Sequence, residues 1–286
     1  MKKIGIIVNW SKERAFEALQ KVTTSATALG MEVVVDDRAA AVAAKLPLAP
    51  LSSFATTVEA VVVLGGDGTV LDAVKRLQGS GLPLMGLNIG SLGYLTCVGE
   101  NEFHDALRSL AENSCTSDVR TTISAHIIDA TGALRKLPDA LNEIVVGRGT
   151  SGRLAWFNLG INGEDVATIG SDGIVVATPT GSTAYALASG GPLLLPDTRA
   201  LVITAISPHA LSFRPLVVPD TAAITISMAP QSTVTGVVTT DGCGGCELAA
   251  NEQLELKLSP HSVTLLHHAA YSPCTVMNRK LGWGGR

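Results

Sequence analysis

The sequence has little charge of either sign and few aromatic side chains. Of its 286 residues, 16% are charged and 4% are aromatic, and the formal net charge is −4 at pH 7. The excess of Lys and Arg that is typical of nucleic-acid-binding proteins is absent, so we expect no nucleic-acid partner. No apolar run approaches the roughly 20 residues that a membrane-spanning helix needs, so we expect no membrane partner.

Cysteine is too sparse and too irregularly spaced for a disulfide framework. The five cysteines are Cys97, Cys115, Cys243, Cys246 and Cys274. Their odd number favours a reducing compartment. Cys243-Gly-Gly-Cys246 is a C-x-x-C pair without a second pair, and it is followed by His261, His267 and His268. Two interpretations stay open: a metal site, or a glycine turn that happens to carry two thiols, which we favour.

The usual phosphate-binding motifs are also missing. There is no G-x-x-x-x-G-K-[ST] P-loop, and the glycines that begin at Gly66 do not form G-x-G-x-x-G, because Leu71 occupies the third glycine position. Instead, the apolar run Val61–Leu64 leads into Gly65-Gly-Asp-Gly68 and then into a helical pattern that extends to Gln78. Strand, glycine turn and helix in this order are typical of α/β proteins that bring backbone N–H groups to phosphates.

Asp67 is the unexpected residue of this turn. Glycine accepts positive φ and allows a phosphate oxygen close to the main chain, but the Asp67 carboxylate would repel that phosphate. Asp67 is therefore expected to face a hydroxyl group or a metal ion, which predicts phosphoryl transfer. The alternative is a tight turn in which Asp67 only caps the helix.

The first part of the chain alternates strand and helix patterns, which predicts an α/β domain with a parallel sheet. Strands are predicted at Ile4–Val8, Glu32–Val35, Val61–Leu64 and Leu84–Leu87, and helices at Ser11–Leu29, Ala39–Lys45, Gly68–Gln78 and Asn101–Glu112. Ser11 is expected to cap the first helix and Gly30 to end it. The loops Gly65–Gly68 and Asn88–Tyr94 both follow strands, so they should share one sheet edge and form a cleft.

The pattern changes near Val119 to short β-rich runs separated by turns, which predicts a β-sandwich. We expect an α/β domain at 1–118 and a β-rich domain at 119–267, with the helical tail 268–286 packed back on the first domain. The predicted strands are Thr121–Ile128, Leu141–Val146, Leu154–Ile161, Glu164–Ile169, Gly173–Ala177, Ala200–Ile206, Leu216–Val218, Ala223–Met228, Val234–Thr240, Leu254–Leu258 and Ser262–Leu266.

Two segments of the second part carry polar groups. Ser171–Pro192 runs from a buried strand into Thr178-Pro-Thr-Gly-Ser-Thr183, where hydroxyls and free helix N–H groups would suit an anion or a sugar, or would merely cap a helix. Asp172 and Tyr185 add an acceptor and an aromatic face. Asn142-Glu143 lies in a predicted strand, so both side chains could serve one ligand only at a bulge or a strand end.

Together these segments resemble the NAD kinase family over nearly the whole chain. Gly-Gly-Asp-Gly alone also occurs in phosphofructokinases and lipid kinases, whereas the long Asp172–Tyr185 block behind it is specific. The matching segments are Gly65-Gly-Asp-Gly-Thr69, Asn88-x-Gly-x-Leu-Gly-Tyr94, Asn142-Glu143, Ser171-Asp-Gly-x-x-x-x-Thr-Pro-Thr-Gly-Ser-Thr-Ala-Tyr185, Gly190-Gly-Pro192, Pro208-His-x-Leu-Ser-x-Arg-Pro215 and Lys280-Leu-Gly-Trp283.

The resemblance implies transfer of the γ-phosphoryl group of ATP to the 2′-hydroxyl of the adenosine ribose of NAD, with Mg²⁺ carried by the ATP phosphates rather than by protein ligands. It implies that Asp67 takes the hydroxyl proton and that Gly66 and Gly68 admit phosphates. It also implies a cytoplasmic homodimer or homotetramer. The residues implied to hold NAD are Tyr94, Asn142, Glu143, Arg153, Asp172, Thr180, Thr183, Ala184, Tyr185, Ala188 and Asp241, the last on a nearby strand.

Three departures from the family pattern limit these expectations. Many relatives that prefer the oxidised cofactor carry a basic residue at the position of Gly170, so we expect NADH to be phosphorylated as well. Arg153 stands where a relative carries His, and it either contacts a phosphate or is a solvated strand residue. Cys243 stands two residues after Asp241, where relatives place a polar amide.

Two other functions stay open at this stage. Another small-molecule kinase with a Gly-Gly-Asp-Gly turn would act on a lipid or a sugar alcohol, although the polar Thr178–Tyr185 block argues against a lipid. A non-catalytic sensor would bind NADP(H) without consuming ATP, and the presence of Asp67 argues against it.

Overall fold

The structure is a computed structural model, and it describes residues 1–39, 46–90, 92–96, 98–268 and 271–282. The predicted helix Ala39–Lys45 falls almost entirely outside these ranges, as do Cys97 and Trp283. The chain forms two compact units, one from residues 1–119 and 263–286 and the other from Arg120–Ser262. None of the helices in the described ranges is both long and apolar enough to cross a membrane.

In the described residues, the first unit contains five strands from the N-terminal part of the chain, four helices, and a C-terminal helix. The strands are β1 (Lys3–Val8), β2 (Glu32–Asp36), β3 (Leu48–Ala49), β4 (Ala60–Gly65) and β5 (Leu84–Asn88). The helices are α1 (Ala15–Ala28), α2 (Phe54–Thr57), α3 (Asp67–Arg76) and α4 (Phe103–Ala111), with 3₁₀ turns at Asp37–Ala39, Leu51–Ser53 and Glu100–Glu102.

These strands form a parallel sheet in the order β5-β4-β1-β2-β3. Its β-branched residues, such as Val62 and Val35, are fully buried against the apolar faces of α1 and α4. In the register of β4 and β5, Gly65 lies opposite Asn88. The two strands therefore end side by side, and the prediction that the Gly65–Gly68 and Asn88–Tyr94 loops share one sheet edge is confirmed.

The predicted start of the first helix is wrong. Helix α1 begins at Ala15, and no side chain caps it. The backbone N–H and the hydroxyl of Ser11 instead donate to Oδ1 of Asn9, at 3.1 and 2.7 Å. This local hydrogen-bonded turn competes with the helix and delays its start by four residues.

The second unit is built almost entirely of strands. They are β6 (Thr116–Ile128), β7 (Leu134–Lys136), β8 (Glu143–Gly147), β9 (Ala155–Ile161), β10 (Glu164–Ser171), β11 (Gly173–Ala177), β12 (Ala200–Ile206), β13 (Leu216–Pro219), β14 (Ile224–Met228), β15 (Gly236–Thr240), β16 (Cys243–Leu248) and β17 (Gln253–His267). A 3₁₀ turn at Gly181–Thr183 precedes the short helix α5 (Tyr185–Ala188). The first residues of β6 and the last residues of β17 belong to the first unit, as does helix α6 (Pro273–Leu281).

The strands of the second unit form two antiparallel arrangements. One has the order β10-β9-β14-β17, with β6 and β7 attached through β17, and the other has the order β13-β12-β11-β8-β15-β16. Phe157 and Ile226 from the first share one buried cluster with Ile144 and Ile174 from the second. The α/β domain and the β-sandwich that the sequence predicts are therefore confirmed.

Some predicted strand boundaries are wrong. The runs Leu254–Leu258 and Ser262–Leu266 form the single strand β17, because the chain continues extended through Ser259-Pro-His261. Cys243–Cys246, predicted as a glycine turn, belongs to strand β16, although Gly244 has a φ of +74° and the pairing with β15 shifts register there. Strands β3 and β7 contain only two and three residues, too few to be predicted from the pattern.

Candidate functional site

The turn around Asp67 is built by Thr69 and its neighbouring glycines. The Thr69 hydroxyl accepts the backbone N–H of Gly66 at 3.3 Å, and a side chain at Gly65 would overlap Thr69. Gly66 and Gly68 have open space where a Cβ would lie. Positive φ is not the reason for glycine at these positions, because none of the three glycines adopts it. The open approach to the main chain is the feature that agrees with the sequence-based expectation.

Asp67 is the first residue of α3, and its side chain does not cap that helix. Its carboxylate accepts hydrogen bonds from the loop that follows β5. Oδ2 accepts the N–H of Tyr94 at 2.8 Å, and Oδ1 accepts the N–H groups of Leu95 and Thr96 at 2.9 and 3.1 Å and the Thr96 hydroxyl at 3.1 Å. The interpretation of Asp67 as a helix cap is therefore wrong. The structure brings Asp67 and Tyr94, two predicted site residues, into direct contact.

The loop around Tyr94 closes tightly over the Asp67 carboxylate. A side chain at Gly93 would overlap both Asp67 and Thr96, so only glycine fits there. The Tyr94 ring lies 5.8 Å from Nζ of Lys280 in α6, a cation–π distance. Burial, and secondarily the Asp67 charge, raises the pKa of the Tyr94 hydroxyl. The Lys280 ammonium therefore lies close to the loop that donates hydrogen bonds to Asp67.

In the second unit, Asp241 organises the segment that contains Asn142 and Glu143. Asp241 lies in the turn between β15 and β16, with a φ of +48°, and not on a strand as expected. Its Oδ2 accepts the N–H of Leu141 at 2.8 Å, and its Oδ1 accepts those of Asn142 and Glu143 at 2.8 and 3.0 Å. Asn142 thus lies just before β8, at the strand end that allows both members of the pair to serve one ligand.

Glu143 is a buried acid, only 6% exposed. Burial, followed by the nearby Asp241 charge, raises the pKa of Glu143 to about 7, and a hydrogen bond from the backbone of Tyr185 opposes this rise. Its Oε2 has no hydrogen-bond partner among the described residues. A buried acceptor without a partner is unfavourable by itself and suits a ligand hydroxyl.

The hydroxyls of the Thr178–Thr183 segment are mostly engaged within the protein. The Thr178 hydroxyl donates to the Leu141 carbonyl at 2.6 Å, and the Ser182 hydroxyl to the Pro179 carbonyl at 2.7 Å. The Thr183 hydroxyl donates to the Thr180 carbonyl at 2.9 Å. These hydroxyls therefore have partners within the protein, which agrees with the alternative that they have a structural role. They hold the turn in shape.

This turn packs directly against Asn142. The N–H of Thr178 donates to the Asn142 carbonyl at 2.9 Å, and a side chain at Gly181 would overlap that carbonyl. Helix α5 follows, with Ala184 half-buried before it and with Tyr185 and Ala188 exposed at its ends. The structure thus brings the Asn142–Glu143 pair, the Thr180–Tyr185 turn and Asp241 together within the second unit.

Asp172 and Arg153 lie on nearby segments with different surroundings. Asp172 stands between β10 and β11, where Oδ1 forms an ion pair with Nε of Arg148 at 2.7 Å. The N–H of Arg148 donates to the Asp172 carbonyl at 3.0 Å. Arg153 lies in the bend before β9, with an exposed side chain and its N–H donated to the Ser151 hydroxyl at 3.1 Å. It is therefore not a strand residue.

Within the described ranges, no cluster of three or more His, Cys, Asp or Glu side chains could hold a metal ion. Cys243 is exposed and Cys246 is half-buried, and both are free thiols. The metal-site interpretation of the C-x-x-C pair thus finds no ligand set in the part of the chain that the structure describes.

Comparison with known proteins agrees with this geometry. The family model for the ATP-NAD kinase N-terminal domain matches residues 4–115, and that for the ATP-NAD kinase C-terminal domain matches residues 141–268. An NAD kinase from Aromatoleum aromaticum is 34% identical, over 98% of this chain and 93% of its own length. The chain belongs to the ATP-NAD kinase family.

Other ATP-NAD kinases extend the match. An NAD kinase from Acidobacterium capsulatum is 32% identical over the full length of both chains. Among solved structures, yeast NADH kinase complexed with NADH has a TM-score of 0.89 at 23% identity, covering 100% of this chain and 89% of its own. An Archaeoglobus fulgidus NAD kinase in complex with ATP has a TM-score of 0.76 at 21% identity, covering 99% and 98%. These two structures confirm the fold.

Three residues that contact the predicted ATP-NAD kinase site were missed by sequence reasoning. Thr96 donates to Asp67, Arg148 pairs with Asp172, and Nη1 of the buried Arg120 donates to the Thr180 hydroxyl at 3.1 Å. Arg148 follows a predicted strand that neighbours Asp172, so its position gave a weak signal. Thr96 and Arg120 gave none, because single polar residues in a loop and in a strand form no pattern.

Proposed function

We propose that this ATP-NAD kinase transfers the γ-phosphoryl group of ATP to the 2′-hydroxyl of the adenosine ribose of NAD, forming NADP. The proposal is carried by the Asp67 carboxylate, which is fixed by hydrogen bonds at the head of α3 between two glycines that leave the main chain open. A fixed acceptor at the start of a helix, beside glycines that leave room for a phosphate near the main chain, is the combination that proton removal and phosphate binding together require.

In this mechanism Asp67 acts as the general base. Oδ1 accepts three hydrogen bonds from the loop, whereas Oδ2 accepts only the N–H of Tyr94 among the described residues. Oδ2 therefore keeps more of its capacity to accept hydrogen bonds than Oδ1, and in this proposal it is the oxygen that takes the hydroxyl proton. The open main chain at Gly66 and Gly68, together with the N-terminal dipole of α3, faces the phosphates and offsets their negative charge.

Residues of the second unit hold NAD in this proposal. Glu143 accepts a hydrogen bond from a hydroxyl of the dinucleotide, with Asn142 beside it and with the Asp241 carboxylate accepting the backbone N–H groups of both. The exposed ring of Tyr185 stacks on a base. Further NAD contacts are proposed, from the resemblance to the family, for Arg153, Asp172, Thr180, Thr183, Ala184 and Ala188. From the resemblance to the family, Tyr94 is also proposed to contact NAD.

Mg²⁺ enters this reaction bound to ATP. In this proposal the ATP phosphates would supply most of the coordination, and the cation would offset the charge of the transferring phosphoryl group. This division is common for Mg²⁺, which is usually held by one or two carboxylates together with substrate phosphates.

We further propose that NADH is accepted alongside NAD. Gly170 leaves no cation two residues before Asp172, and an added Cβ would lie 3.2 Å from the Trp156 ring. Position 170 therefore supplies no fixed positive charge that could favour NAD over NADH. A homo-oligomer is proposed too, supported by the exposed apolar side chains of Leu211, at 90%, and Val217, at 51%. The free thiols are compatible with a cytoplasmic location.

A product assay tests the proposed function. Purified protein is incubated with Mg²⁺, ATP and either NAD or NADH, and the phosphorylated dinucleotides are quantified. We expect NADP in the first reaction and NADPH in the second. ATP consumption only with a lipid or sugar alcohol would indicate another Gly-Gly-Asp-Gly kinase, and NADP(H) binding without any ATP consumption would indicate a sensor.

A further inference from the structure

Thr96 contacts the proposed base from a fully buried position. It is 0% exposed, and its hydroxyl donates to Oδ1 of Asp67 at 3.1 Å. The backbone N–H of Thr96 donates to the same oxygen, also at 3.1 Å. No bulk solvent reaches this side chain, so water cannot readily replace the hydroxyl if it is removed.

Asn88 determines the direction in which the Thr96 hydroxyl donates. Nδ2 of Asn88 lies 2.9 Å from Oγ1 of Thr96, and Asn88 is itself only 3% exposed. An amide N–H can only donate, so the threonine oxygen accepts this bond. Its single hydrogen is then left for Asp67, and the hydrogen bonds run from Asn88 to Thr96 to Asp67.

This relay connects the ends of two adjacent strands. Asn88 is the last residue of β5, and it lies opposite Gly65, the last residue of β4, two residues before Asp67. The register of β4 and β5 therefore fixes how far Asn88 lies from Asp67, which is the distance that the Thr96 hydroxyl bridges. Gly93 allows the intervening loop to come close enough, because any side chain there would overlap Asp67.

We propose that Thr96, oriented by Asn88, is a positioning residue for phosphoryl transfer. It anchors Oδ1 of Asp67 and so leaves Oδ2 as the oxygen that takes the proton. The proposal rests on the proposed role of Asp67 as the base. Thr96 itself contacts neither substrate nor the reacting atoms.

The experiment compares Thr96→Val and Thr96→Ala, which remove the hydroxyl, with Thr96→Ser, which retains it. Loss of one hydrogen bond to a charged group should lower kcat about 10- to 100-fold, while KM for NAD and for ATP stays within about 2-fold. Thr96→Ser should keep most of the wild-type kcat. Thr122→Val is the matched control, because the buried Thr122 hydroxyl donates to the His261 carbonyl at 2.6 Å and not to a carboxylate.

The double variant Asp67→Asn/Thr96→Val separates positioning from general stability. If Thr96 acts through the Asp67 carboxylate, adding Thr96→Val to Asp67→Asn should lower the residual kcat no further. The proposal is overturned if both hydroxyl-free variants keep the wild-type kcat, or if Thr96→Ser lowers kcat as strongly as they do. It is also overturned if the effects of Asp67→Asn and Thr96→Val on kcat multiply in the double variant. A fully active Asp67→Asn would instead overturn the role of the base itself, which keeps the two failures distinct.

Discussion

Asp241 and Glu143 are hydrogen-bonded in both directions. The N–H of Asp241 donates to the Glu143 carbonyl at 3.0 Å, and the N–H of Glu143 donates to Oδ1 of Asp241 at 3.0 Å. This reciprocal pair keeps two acidic residues close together within the second unit. Burial, followed by the charge of the nearby Asp241, raises the pKa of Glu143 to about 7 and should make the stability of the protein depend on pH.

The first prediction concerns stability against pH. The pKa of Glu143 is 4.5 in the unfolded chain and about 7 in the folded protein. Between these values the folded state binds more protons, so stability decreases as pH rises through this window. Glu143→Gln should therefore be more stable than wild type above pH 7, by at most about 3 kcal/mol, and this difference should vanish below pH 4.5.

Chemical denaturation of both proteins from pH 4 to 8 checks this prediction. The exposed Glu164→Gln serves as the control and should show no comparable change. Parallel stability curves for Glu143→Gln and wild type would mean that Glu143 carries no buried charge in the folded state.

The second prediction concerns the open main chain at the glycine turn. Gly66 has a φ of −112° and nothing within 4 Å of an added Cβ, so Gly66→Ala should fold with a stability loss below about 1 kcal/mol. The new methyl group should still obstruct the phosphate, lowering kcat/KM for ATP on the order of 10²-fold. Gly245→Ala, which meets only Val237 at 3.6 Å, is the matched control. Unchanged ATP kinetics in Gly66→Ala would remove this turn from phosphate binding.

The third prediction concerns the choice between the oxidised and reduced acceptor. Because Gly170 supplies no cation, kcat/KM for NAD should exceed that for NADH by less than about 10³-fold. Initial rates with each acceptor at saturating ATP and Mg²⁺ give the ratio directly. A larger ratio would show that another feature of the site discriminates between the two.

Much of the fold could be predicted from the sequence, because it depends on local patterns. The apolar run Val61–Leu64 and the glycines after it sufficed to predict strand β4, the turn and the start of α3. Alternation of apolar residues likewise indicated the β-rich second unit. The start of α1 was missed because Asn9 offers Ser11 a competing hydrogen bond, which hydrophobic periodicity does not report.

The site was harder to predict, because its contacts join residues far apart in sequence. Asp67 and Tyr94 are 27 residues apart, and Asp241 and Leu141 are 100 apart. Motif resemblance indicated the residues but not their arrangement, so Asp241 was expected on a strand. Thr96 could not be recognised, since its role depends on a sheet register that a single threonine does not reveal.

The most direct measurement is NADP formation by Asp67→Asn in the presence of Mg²⁺, ATP and NAD, together with NAD binding by the same variant. Asparagine keeps the size of the side chain but cannot accept the hydroxyl proton as a base. The account predicts unchanged NAD affinity and a fall in kcat of about 10²- to 10⁴-fold. Turnover equal to that of the wild type would contradict it.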